Sequence, residues 1–154
     1  MNRMVPATLD IQEFQFAKGL TNTQAESLLG ISDIKSFSVK ELLFDEFEEL
    51  DNLFVLLEGT VVLGVNVPKK GKINIGSIHP GSIFAWSALF PPYLSTASAT
   101  AHSPVKVLAI PAGKLLSIFE NDHAFGYVFM KMISSTVSQR LSDTRLQLVN
   151  VITI

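Results

Sequence analysis

Between Pro80 and Ala101 the chain reads PGSIFAWSALFPPYLSTASATA, and the residue types there suit non-covalent recognition. The hydroxyls of Ser87, Ser95, Thr96 and Ser98 can donate to an anion. Trp86 offers a planar face for stacking, and the small residues around it leave backbone N–H groups within a ligand's reach. Each also has a plainer reading: Trp86 as a core aromatic filling a pocket, the hydroxyls as strand and turn residues bonded within the fold. Pro80-Gly81 and Pro91-Pro92 punctuate the stretch, Ile83-Phe84 is a short apolar run, and STASATA alternates as a half-buried strand does.

Residues for bond-making chemistry are scarce. No cysteine is present, which removes thiolate nucleophiles, thiolate-held metals and disulfides. His79, His102 and His123 are isolated beside turn signals. A jelly-roll metal site would need a His-x-His pair with a following Glu and a distant His. The acidic run Asp45, Glu46, Glu48, Glu49 and Asp51 lacks the glycine and spacing of a calcium loop and reads as a solvated face. No Ser-His-acid arrangement is legible. The expectation is a protein with no catalytic residues, no metal and no resident cofactor.

At 154 residues and 47% hydrophobic content, the chain has material for one domain with a sizeable core. A formal net charge of -2 gives no electrostatic footprint for nucleic acid. The opening MNRMVPATLDIQEF has no uninterrupted apolar segment, so no signal peptide is expected, and no apolar run reaches the length of a membrane span. The lack of cysteine suits a reducing cytoplasm, the expected location.

Three regions must position the Pro80–Ala101 stretch. Residues 1–33 form a helical lead-in, with apolar residues recurring from Leu9 to Leu29 and Thr21 capping a short helix together with Gln24. Residues 34–111 read as short strands: IKSFSV over 34–39, Glu41 to Phe44, NLFVLLEGTVVLGV broken at Glu58-Gly59, INIGSI after the polar VPKKGK turn, and PVKVLAIP over 104–111. Strands at this spacing imply an antiparallel β-roll or jelly roll, a mainly β fold with flanking helices. Residues 112–154 return to helix, first Ala112 to Asp122 and then one long helix from His123 to Val151 or so. Phe125, Val128, Phe129, Met132 and Ile133 give its first half a broad face for a sheet. Its second half narrows to Val137, Leu141, Thr144, Leu148 and Val151, at the alternating spacing of a coiled-coil seam.

This order of helices, strands, Pro80–Ala101 stretch and long helix resembles the cyclic-nucleotide-binding domain family in its bacterial catabolite-activator and FNR-type form. LFVLLEGTVVLG looks like the hairpin before that family's phosphate-binding cassette. PGSIFAWSALF looks like the cassette's Pro-Gly-x-x-Phe-Gly-Glu-x-Ala-Leu opening, KVLAIPAGKLLSIFEND like the strand and helix after it, and SQRLSDTRLQL like the dimer helix. The resemblance implies a ligand pocket formed by Phe84, Ala85, Trp86, Ser87, Ala88, Leu89, Ser95 and Thr96. From the dimer helix it adds Thr144 and Arg145, where the family's helix contacts the ligand base. Thr144 also fits the seam. Arg145 is the only helix cation positioned to reach the pocket, with a solvated surface role as its default reading.

In ligand-binding members of that family a cassette Glu accepts from the ribose hydroxyl and an Arg neutralises the cyclic phosphate. Here Trp86 stands at the Glu position and Ser95 or Thr96 at the Arg position, with no Arg or Lys between Lys72 and Lys106. The resemblance therefore implies a divergent, single-domain member: a non-catalytic sensory or regulatory module that dimerises through its C-terminal helix. Its effector is expected to be an unidentified small molecule outside ordinary cyclic AMP binding. The alternative is a structural or protein-interaction dimer whose pocket its own side chains fill. A cupin-type enzyme ranks last, for want of metal ligands. Only thirteen residues follow Leu141, too few for a helix-turn-helix, so direct DNA binding is not expected.

Overall fold

The structure, a computed structural model, describes residues 3–4 and 9–153; the signal-peptide expectation rests largely on residues outside these. Thr21 starts the first α-helix, α1 (Asn22–Ile31), through a capping box. Its hydroxyl accepts from the Gln24 N–H at 3.1 Å and the Gln24 side chain accepts from the Thr21 N–H at 3.0 Å. Ahead of it the helical lead-in consists of two single 3-10 turns, Ile11–Glu13 and Gln15–Ala17, which place Ile11, Phe16 and Ala17 in the core. An unforeseen two-residue strand, β1 (Arg3–Met4), precedes them.

Eight further strands follow: β2 (Asp33–Phe37), β3 (Leu42–Phe44), β4 (Asn52–Glu58), β5 (Val61–Val67), β6 (Gly71–Ile78), β7 (Ile83–Phe84), β8 (Ser98–Ala101) and β9 (Val105–Pro111). They form two antiparallel sheets in the orders β1-β2-β9-β4-β7 and β3-β8-β5-β6, the β-roll that the strand spacing implies. Leu53 to Leu56 on β4 are all buried, so β4 reads as a continuous apolar run without alternation. Phe44 of one sheet meets Phe54 and Phe84 of the other at ring-centroid distances of 6.1 and 6.3 Å, and Phe54 and Phe84 lie 5.5 Å apart. This trio sets the spacing of the sheets directly behind β7.

Two helices close the chain, α2 (Ala112–Asn121) and α3 (His123–Ile152), the latter capped by Asp122, whose carboxylate accepts from the Phe125 N–H at 3.0 Å. Phe119 of α2 packs edge-on to Phe125 at 5.4 Å and lies 5.3 Å from Phe129. Gly126 makes this crossing possible, since a Cβ there would come within 3.0 Å of the Phe119 Cβ. On α3 burial ends at Ile133, and from Val137 onward the apolar residues are exposed. No helix of the described residues is long and apolar enough to cross a membrane.

The tight β4–β5 turn depends on Gly59, at φ +91°, where an added Cβ would lie 2.3 Å from the Pro104 carbonyl oxygen. Gly59→Ala should therefore destabilise the protein by more than about 1 kcal/mol. Urea denaturation will show a lower midpoint at constant slope; an unchanged midpoint would mean that the turn relaxes around the methyl group.

Candidate functional site

The site is built from the end of β7 outward. Phe84 is anchored in the inter-sheet aromatic trio, and Ala85 then adopts a left-handed conformation, φ 62°. Any residue with a Cβ, alanine included, bears a steric cost in that conformation. That reversal feeds a short 3-10 turn, Trp86–Leu89, which divides its residues between two environments. Ala88 and Leu89 are buried in the core, whereas Trp86 and Ser87 are half-buried on the side facing α3.

A cavity of about 780 Å³ lies between this turn, the β5–β6 side of the roll and the second half of α3. Phe84, Ala85, Trp86, Ser87, Ser95, Thr96 and Thr144 all line it. Ala88 and Leu89 do not; they stand behind the wall and support it. The helix contributes Ser135, Thr136, Gln139, Arg140, Asp143, Thr144 and Gln147, polar residues throughout.

Arg145 is exposed and does not line the cavity, in keeping with its solvated-surface reading; the pocket-reaching role considered for it does not hold, and the helix cation that lines the cavity is Arg140. Five residues along an α-helix turn a side chain about 140° around the axis, which separates the two. Arg140 donates from Nη2 to the Ile83 carbonyl oxygen at 2.7 Å, and its Cζ stands 4.3 Å from the centroid of the Trp86 ring. Burial lowers its pKa to about 10, with the Asp143 carboxylate acting in the opposite direction. Asp143 also accepts a 3.0 Å hydrogen bond from Gln139. Among the described residues the ion pair within 4.0 Å is Lys106–Glu58, remote from the cavity, so the guanidinium has no carboxylate partner. It is the one Lys or Arg lining the cavity among the described residues.

The hydroxyls divide as well. Ser95 is buried, donates to the Asp45 carbonyl and accepts from the Glu48 N–H at 3.1 Å, which ties the acidic loop to the cassette. Ser98 donates to the Gly64 carbonyl at 3.1 Å. The expected strand over STASATA accordingly begins only at Ser98, because Ser95 is committed to the 45–48 loop. Thr144 donates to the Arg140 carbonyl one turn back. Among the described residues, Ser87 and Thr96 direct their hydroxyls to no protein partner. No group of three His, Asp or Glu side chains among the described residues is placed to share a metal ion.

The family profile of the cyclic nucleotide-binding domain matches residues 34–122. A Geobacter metallireducens protein named for cyclic nucleotide binding is 34% identical, with 89% of this chain and 99% of that one aligned at a TM-score of 0.78. Two more distant structures share the fold. A cyclic nucleotide-binding domain from Methylobacillus flagellatus is 16% identical, with 91% and 79% of the two chains covered and a TM-score of 0.81. The global regulator CLP of Xanthomonas campestris, described as responsive to c-di-GMP, is 15% identical, with 86% and 65% covered and a TM-score of 0.77. No curated protein sequence matches the chain.

Trp86 is the only tryptophan, so intrinsic emission reports its stack with Arg140. With a pKa of about 10, Arg140 is cationic throughout the neutral range. Emission should then stay constant from about pH 6 to about pH 8.5. Burial holds the folded-state pKa, at about 10, below that of the unfolded chain, so the cost of burying the charge is full at neutral pH and lifts only as pH rises through and above that value. A step in emission at neutral pH would mean that another titratable group of the cavity governs the stack.

Proposed function

The chain belongs to the cyclic nucleotide-binding domain family, and from that premise we propose that it is a non-catalytic sensory module which binds a small ligand in the cavity and signals by repositioning α3. The observation that carries this is the cavity's double wall. One side is the cassette turn, fixed to the core through Phe84, and the other is the half of α3 that has no buried apolar anchor. A ligand touching both sides would bias where the helix lies. A cavity of about 780 Å³ weighs against the alternative of a scaffold filled by its own side chains.

The ligand in this proposal is not a cyclic nucleotide held in the family's usual way. Trp86 occupies the place of the ribose-binding Glu, and its face is covered by the Arg140 guanidinium. The cassette brings no cation for a cyclic phosphate, and losing one charge-assisted hydrogen bond forfeits about 1.5–3 kcal/mol. The fold tolerates other effectors, as the c-di-GMP responsiveness described for the Xanthomonas campestris regulator illustrates. Native mass spectrometry of the gently purified protein should show a bound small molecule, and calorimetry with cyclic AMP and cyclic GMP should show no micromolar binding. A protein that carries nothing and binds neither would defeat the sensor assignment; micromolar cyclic-nucleotide binding would defeat the ligand assignment alone.

The module is further proposed to act as a homodimer. Val137, Leu141, Leu148 and Val151 are 37%, 49%, 58% and 71% exposed along one stripe of α3, with Thr144 between them. Burying a fully exposed side chain of this kind contributes about 1.5–3 kcal/mol, and each of these, already partly covered, offers a fraction of that toward pairing two helices. Leu141→Asp should shift the protein from dimer to monomer in analytical ultracentrifugation at tens of micromolar, with the circular dichroism of the roll retained. A wild-type monomer, or a dimeric variant, would exclude the stripe as the seam.

A further inference from the structure

We propose that Arg140 is the anion-recognition residue of the cavity, that the effector carries a carboxylate or phosphate on a hydrogen-bonding organic body, and that this anion displaces the guanidinium from Ile83 and Trp86. The inference rests on the sensor assignment above and narrows its ligand.

Three observations carry it. Arg140 is the one Lys or Arg on the cavity wall among the described residues, and its contacts are a neutral carbonyl at 2.7 Å and an aromatic face at 4.3 Å. Neither neutralises a positive charge. A guanidinium has five donors in a planar fork, and the structure shows one of them engaged. The ionisable side chains that share the cavity wall with it are Asp143, one turn along its own helix and already accepting from Gln139, and His79 from the loop after β6. A carboxylate or phosphate would supply the bidentate partner that the protein withholds. The rest of the wall suits a body with its own hydroxyls or amides, for Ser87, Thr96, Gln139 and Gln147 face the same space.

Both present contacts of Arg140 lie on the cassette side, and the residue itself is carried by α3. An anion that takes over the guanidinium removes the hydrogen bond and stack that now join the two. Binding and release of the helix thus become one event, with the stack as its reporter.

The test uses the full chain and the emission of its single tryptophan. Sodium phosphate and glycerol 3-phosphate are titrated against sodium chloride at matched ionic strength, with glycerol as the neutral control. The wild type should show a saturable change with both phosphates and none with chloride or glycerol. Arg140→Met, which keeps much of the volume, should weaken the response about tenfold or more, and Arg140→Lys should retain part of it. Chemical shifts or circular dichroism of the variants would verify the fold. An unresponsive wild type, or an equal response from Arg140→Met, overturns the proposal. So does a neutral molecule in the native mass spectrum, an outcome that leaves the sensor assignment standing.

Discussion

Beyond Ile133 the long helix has no buried apolar side chain, and Arg140 is what ties it to the roll. A charge-assisted hydrogen bond contributes about 1.5–3 kcal/mol and a cation–π contact about 0.5–2 kcal/mol. Desolvation of the guanidinium, evident in its lowered pKa, opposes both. The net tie is therefore small compared with the aromatic packing of Phe119, Phe125 and Phe129 that fixes the first half of the same helix. A rigid root and a weakly held tip are what a two-position element requires.

The cassette side of this contact is rigid for independent reasons. Phe84 is locked between the sheets, Ala85 turns the backbone through a left-handed conformation, and Ala88 and Leu89 pin the 3-10 turn to the core. Ser95 closes the other flank by bonding the Asp45 carbonyl and the Glu48 N–H. The acidic loop, read from its sequence as a solvated face, is also folded on itself and tied to β5: the Asp45 N–H donates to the Glu48 carboxylate, and the Asn66 N–H of β5 to that of Glu46. With one wall fixed and the other loosely tied, a change in the cavity has only the helix to move.

Most of the architecture was legible because it depends on local signals. The Thr21 cap, the Glu58-Gly59 turn, the PKK turn and the start of α3 all lie where sequence chemistry puts them, within a residue or two. β1 was not legible, since two residues carry no periodicity and are defined by pairing with β2. The site was half legible. The cassette residues follow from their turn signals and family likeness, but Arg140 was missed because attention to the seam of Val137, Leu141 and Leu148 selects one face of the helix. The neighbouring face, Phe129, Ile133, Thr136, Arg140 and Thr144 at spacings of three and four, starts apolar and turns polar at Thr136. That switch marks where the helix leaves the core for the cavity, and it is readable once both faces are followed.

In the register that the family resemblance implies, a tryptophan in place of the Glu at position 86 has an electrostatic consequence larger than its steric one. A carboxylate there, as in the family's ligand-binding members, would lie against Arg140 and cancel its charge, and the pair would bring little net field to the cavity. An indole accepts the guanidinium through its quadrupole without neutralising it. The wall keeps a positive charge that, among the described residues, Asp143 from its own helix turn partly offsets. In a partly desolvated cavity such a charge attracts an anion far more strongly than the same residue on an open surface, because the surrounding dielectric screens it less. In the proposed assignment, the aromatic residue at the sugar-contact position is thus also the one that leaves the helix cation free to meet a different anion.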